Sequence, residues 1–188
     1  MRNDNGVYIK YFIFLFAACL CIIFLGGCAS FNKYQGNRYF KKGQYQKAVD
    51  AFERAENKNP SLLTDSDFQE KITQAKLMFH YTQGQEYIKD NQWEQAIAEF
   101  EKVLELDPAH LQAKESVELS RKKFSDLFYQ QGIEYADNGE LSSAIEQFQK
   151  AVEIYPDNLK AVDALRNTQT KKSILLPKAD ESFEIGMD

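Results

Sequence analysis

Beyond position 28 the sequence contains no cysteine: Cys19, Cys21 and Cys28 all sit within or at the end of one apolar run near the start. The rest of the chain can therefore form no disulfide and hold no metal on thiolates. Histidine is almost as scarce. His80 and His110 stand 30 positions apart and fit no His-x3-His, HExxH or Cys/His spacing, so both imidazoles are assigned structural or incidental roles. His110, just after a proline, is expected at the surface, and His80 within a helix. Nine glycines and four prolines are too few for a turn-rich β fold and favour long helices. No G-x-S-x-G elbow and no phosphate-binding glycine-rich loop occurs. Lysines and arginines alternate with acids, as on a solvated helix face, so no nucleic-acid partner is expected. No residue set calls for a cofactor, a metal or catalysis.

What the chain does have is an ordinary globular balance, with 44% apolar, 27% charged and 13% aromatic residues over 188 positions. That suffices for one domain with a substantial core. The formal net charge is −5; Arg2, Asp4 and Lys10 leave the chain beyond residue 27 at −6.

Arg2 and Lys10 make the start basic, and Tyr11 to Leu25 is uncharged. A run of this length is marginal as a membrane span, which needs about 20 residues. It matches the apolar region of an export signal, with small residues following directly. Those residues, Leu25-Gly26-Gly27-Cys28, resemble the bacterial lipobox. The resemblance implies a signal peptide over 1–27, cleavage before Cys28 and lipidation of its thiol, as in palmitate-bearing lipoproteins. An uncleaved anchor and a plain secretory signal are the alternatives. Several acyl chains, at about 0.8 kcal/mol per buried methylene, anchor a protein durably. Ala29 stands where an Asp would direct retention in enteric-type sorting. The expected location is therefore the outer membrane, periplasmic face, with the inner membrane as the alternative.

The remainder repeats itself at a step of 48 residues. Gly36, Gly84 and Gly132 coincide, as do Tyr39, Tyr87 and Tyr135. So do Ala48, Ala96 and Ala144; Phe52, Phe100 and Phe148; and Pro60, Pro108 and Pro156. Fixed-period self-similarity marks a repeat architecture. The order small, aromatic, Ala, aromatic, Ala, Pro resembles the tetratricopeptide repeat, about 34 residues folded as two helices. The resemblance implies an all-α, right-handed solenoid of helical hairpins, in which the glycine lets two helices approach and the proline follows the second. The expected repeats are about 29–62, 77–110 and 125–158. The period exceeds the family's by about four helical turns. Residues 64–76 and 109–124 hold no Pro or Gly, so they are expected to lengthen the first helices of repeats two and three. Phe68, Ile72, Ala75 and Phe79 fall on one stripe there, and a split into two short helices is the alternative. Leu159 and Ala161 match Leu111 and Ala113, which predicts a capping helix over 157–172. The domain spans 28–172, and 173–188, with Pro177 and four acids, reads as a mobile acidic tail.

The family binds peptides in a groove lined by first helices. A carboxylate clamp of one subclass finds Lys33 and Asn37 in its first two positions. Thr82, Asp126 and Gln130 occupy the other three, so that clamp is not supported, and Lys33 and Asn37 are assigned to a solvated face. The groove candidates are Tyr81, Gln85, Ile88 and Lys89 in repeat two, with Tyr129, Gln130, Ile133 and Asp137 in repeat three. The alternative for the two tyrosines is packing against the next helix. The expected function is a lipid-anchored envelope scaffold or adaptor for a protein or peptide partner. It resembles assembly factors for outer-membrane proteins, pili, secretion or polysaccharide export. The small groove favours a bridging subunit or a homo-oligomer. An envelope enzyme, the rival class, would need a convergent site.

Overall fold

The computed structural model describes residues 29–184. The expected signal over 1–27, Cys28 and the last residues of the acidic tail lie outside them. Among the described residues there are seven α-helices and no strand. They are α1 over residues 29–41, α2 Tyr45–Lys58, α3 Ser66–Lys89, α4 Trp93–Leu106, α5 Leu111–Asp137, α6 Leu141–Ile154 and α7 Leu159–Glu184; a 3-10 turn, Pro60–Thr64, joins α2 to α3. Both expected lengthened helices are continuous, α3 with 24 residues and α5 with 27. At 1.5 Å per residue α5 runs about 40 Å. The chain divides into two compact units at a boundary within the residues of α3, the first ending at His80 and the second starting at Tyr81.

Each hairpin turns in the same way. Gly43, Asn91 and Gly139, again 48 apart, have φ of 70°, 57° and 82°. In each case this left-handed residue donates its N–H to the carbonyl three residues back, and the next residue reaches five back, as Gln44 does to Tyr39 at 3.0 Å. These are Schellman ends, which satisfy the last carbonyls of a first helix and send the chain back alongside it.

In the first unit the core comprises Ala48, Val49, Phe52, Ala55, Leu62, Phe68, Ile72 and Ala75, with Tyr39 and Phe40 against it. Phe52 and Phe68 meet edge to face at 5.7 Å. Burying such rings stabilises by about 1.5–3 kcal/mol each. Lys76 to Glu53 at 2.9 Å ties α3 to α2 at the surface, a contribution of at most about 1 kcal/mol.

In the second unit α4, α5, α6 and α7 pack in sequence. Phe100, Val103, Ala113, Val117, Ala144, Phe148 and Ala161 are buried. The last element departs from the sequence reading: α7 continues through Pro177 to Glu184. Proline removes one backbone hydrogen bond from a helix without forbidding its continuation.

A second departure lies in the connectors. The residue accepting the first N–H bond of the following helix is Asp65, His110 or Asn158. Asp65 comes five residues after its proline, whereas His110 and Asn158 come two after theirs. Counted from these caps, buried residues recur at the third and tenth positions: Phe68 and Ala75, Ala113 and Ser120, Ala161 and Thr168. Repeat one thus spends three extra residues in its 3-10 turn, and α3 is three residues shorter than α5. The step stays 48 between hairpins but is 45 between the buried faces of the two extensions.

Candidate functional site: the first-helix faces and the hairpins behind them

The hairpins are built on one contact. A Cβ on Gly36, Gly84 or Gly132 would lie 2.4, 2.8 or 2.4 Å from the ring of Phe52, Phe100 or Phe148 respectively. These separations are far inside van der Waals contact, so only hydrogen fits. Each phenyl ring therefore lies directly on the backbone of the opposing helix, where two helices of ordinary side chains would stand about 8–10 Å apart. The phenylalanines are buried to within 1%.

Tyr81 and Tyr129 back up these wedges. Tyr81 meets Phe100 edge-on at 5.7 Å and lies 5.2 Å from His110. Tyr129 lies 5.9 Å from Phe148. Both are half-buried, so their rings serve the hairpin first. Gln85, Lys89, Gln130 and Asp137 are exposed, and Ile88 and Ile133 are half-exposed. The outward chemistry of the candidate residues is thus amide and charge around a partly covered isoleucine. Lys89 and Asp137 hold the same repeat position with opposite sign.

Two residues take more definite roles than the sequence suggested. Lys33 is not simply solvated: it pairs with Asp65 at 3.5 Å and stands 5.1 Å over the Phe68 ring. Asp65 is held below the ordinary carboxylate range. The Phe68 backbone N–H is the main cause, partial burial opposes it, and the Lys33 charge adds to it. His110 is half-buried rather than simply at the surface. Its Nδ1 accepts the Ala113 N–H at 3.2 Å, so the imidazole caps the start of α5. Asn37 is half-exposed, and so are Thr82 and Asp126, while Gln130 is exposed.

One polar cluster was invisible to the periodicity. Asn158 caps α7 through Oδ1, and its Nδ2 donates to Ser125 Oγ at 2.9 Å and Asp126 Oδ1 at 3.3 Å. Ser125 Oγ in turn donates to the Ala151 carbonyl at 2.7 Å. These hydrogen bonds link α5, α6 and the start of α7 in addition to their apolar packing. Ser120 Oγ, by contrast, is buried with no hydrogen-bond partner. A cleft of about 470 Å³ separates α4, the first half of α5 and the α6–α7 connector; Leu104, Val117, Ile154 and Tyr155 line it under a rim of mixed charge. Among the described residues no group of three or more His, Cys, Asp or Glu is placed to hold a metal ion, and no helix is long and apolar enough to cross a membrane.

The tetratricopeptide repeat model matches residues 29–62, 78–110 and 125–158. No curated protein matches the chain. Solved structures similar to it include the C-terminal TPR-containing domain of an FK506-binding protein from Plasmodium falciparum, at 21% identity, covering 84% of this chain and 93% of that one with a TM-score of 0.32. The MamA protein is 18% identical, with 85% and 90% covered and a TM-score of 0.26. The second TPR domain of human RPAP3, solved with an HSP70 peptide, is 18% identical, with 75% and 98% covered and a TM-score of 0.22. Three matched repeats over more than half of its length, each a helical hairpin closed by a phenylalanine on a glycine, show that the chain belongs to the tetratricopeptide repeat family.

Proposed function

We propose that this chain is a lipid-anchored adaptor of a bacterial cell envelope, tethered through Cys28 and offering its repeats to a protein or peptide partner. Repeats of this family are interaction modules, typically without catalysis. The observation that carries the reading is the division of labour along α3 and α5. Tyr81 and Tyr129 are spent on the hairpin wedges, while Gln85, Lys89, Gln130 and Asp137 stay exposed, Lys89 and Asp137 at one repeat position and the two glutamines at neighbouring ones. Such a surface suits an extended polar segment whose backbone amides meet the two glutamines. Its charges would be read by the opposite signs of Lys89 and Asp137.

Anchoring is supported by the basic start, the apolar run and Leu25-Gly26-Gly27-Cys28 in that order. Ala29 favours the outer membrane, facing the periplasm. A subunit of an assembly machine for outer-membrane proteins, pili, secretion or polysaccharide export is the more specific form of the same reading, as a bridging subunit or a homo-oligomer. Cleavage of peptidoglycan by the purified protein would replace it with an enzyme.

The test places a photocrosslinking amino acid at Gln85, Lys89, Gln130 or Asp137, and at exposed Glu146 of α6 as control. A discrete envelope protein captured from the first four positions and not from Glu146 supports the groove. Equal capture from all five removes it. Intact-mass analysis decides the anchor: a chain beginning at acylated Cys28 is expected, and a chain retaining Met1 refutes it.

A further inference from the structure

We propose that the exposed face of α1 is a lipid-binding surface, which lays the first repeat flat on the anionic headgroups of the membrane that holds the chain. The inference extends the reading of Cys28 as the anchor, because α1 begins at the residue after it. Phe31 and Tyr34 are 59% and 62% exposed. Arg38, Lys41 and Lys42 are exposed as well. At about 100° per residue the first four of these lie within roughly 80° of arc on one side of the helix, and Lys42 follows at its end. Among the described residues none of the three cations takes part in an ion pair. From Cys28 to Val49 the sequence contains five cations and no acid. The alternation of charge along the rest of the chain hides this local excess.

The repeats supply the control. Stepping 48 residues from Arg38 gives Glu86 and then Glu134; from Lys42 it gives Asp90 and Asn138; from Tyr34 it gives Thr82 and Gln130. The fold therefore does not require an aromatic at position 34 or cations at 38 and 42, where the other two repeats carry acids, amides and a threonine; Phe31 steps to Phe79 and Leu127 and Lys41 to Lys89 and Asp137, so those two positions keep their character in the second repeat. Aromatic rings with a polar edge settle at the headgroup level of a bilayer, and lysine and arginine beside them are drawn to anionic lipid. Each such cation strengthens adhesion to an anionic leaflet by about fivefold. An acidic leaflet matches both halves of this face, whereas an acidic protein surface would match only the charges.

The full chain, with Trp93→Phe and either Phe31→Trp or Tyr34→Trp, would be reconstituted in vesicles of 30% phosphatidylglycerol in phosphatidylcholine carrying brominated acyl chains. Both reporter tryptophans are expected to lose more than half of their fluorescence and to shift to the blue. Arg38→Glu, Lys41→Glu and Lys42→Glu together should restore most of the intensity while leaving helix content unchanged, and so should pure phosphatidylcholine. Reporters that stay bright and water-exposed in the anionic vesicles overturn the proposal and leave an acidic protein as the occupant. Quenching that ignores the charge reversal overturns the role of the cations. The mass of Cys28 in the same preparation reports the anchor separately, so loss of acylation and loss of lipid contact are read independently.

Discussion

Replacing Gly132 with alanine tests the contact on which every hairpin depends. The added methyl would sit 2.4 Å from Cε1 and 2.5 Å from Cδ1 of Phe148, a ring only 1% exposed that has nowhere to retreat. Overpacking of this kind costs about 1–3 kcal/mol, and the severity of the overlap puts the value near the upper end. Alanine recovers roughly 1 kcal/mol of helix propensity over glycine in mid-helix. The net expectation is a loss of about 2 kcal/mol, seen as a fall in melting temperature of about 8 °C or more for a unit of this size. Circular dichroism during thermal and urea unfolding measures it. Phe148→Leu removes the ring edge at a cost below about 1.5 kcal/mol. On that background Gly132→Ala should change sign and stabilise by about 0.5–1 kcal/mol, because only the propensity term survives. An equal loss on both backgrounds would refute the wedge as the reason for the glycine. Gly84→Ala, with its nearest ring atoms at 2.8 Å, should be milder than Gly132→Ala.

Three further outcomes are expected. Asn91 is the non-glycine member of the left-handed turn set, so Asn91→Gly should stabilise by up to about 1 kcal/mol, with no gain if the turn relaxes freely. Ser120 buries a hydroxyl without a partner, at the position Ala75 fills in the first unit, so Ser120→Ala should stabilise by about 1 kcal/mol in urea titration. Asp65 has a lowered carboxyl pKa in the folded chain, through the Phe68 N–H first and Lys33 after it. Its contribution is therefore complete above the ordinary value of about 3.9 and is lost as the pH falls through the lowered one. Unfolding curves of wild type and Asp65→Asn should differ at pH 6 and converge in acid; parallel curves over the whole range would exclude Asp65 as the source.

The hairpins were legible in the sequence because their chemistry is local: a glycine and a phenylalanine sixteen residues apart make the same contact three times. Lengthening of α3 and α5 is expected because residues 64–76 and 109–124 hold no Pro or Gly; a split into two short helices stays open on the sequence, and each is one helix in the structure. The three-residue shift between the extensions was not legible, because three residues can lengthen a connector or a helix equally well, and only the capping bond of Asp65 decides. Asn158 and Ser125 meet across 33 residues in the second unit alone, so no repeat announces them. Exposure was the hardest to read. Tyr81 and Tyr129 read as groove residues with packing against the next helix as the alternative, and the structure places their rings against Phe100 and Phe148 while leaving both half-buried. The turn glycines and Asn91 were readable in principle, as a Gly-Asn-Gly series at the 48-residue step.

Because each ring and the bare backbone that receives it lie in one contiguous stretch, a duplication of any 48-residue block would deliver lock and key together. The array could grow or shrink in single genetic events, with no compensating change elsewhere in the gene. Selection on such a chain would act on how many partner-facing surfaces it displays, while the joinery inside each copy is inherited ready-made.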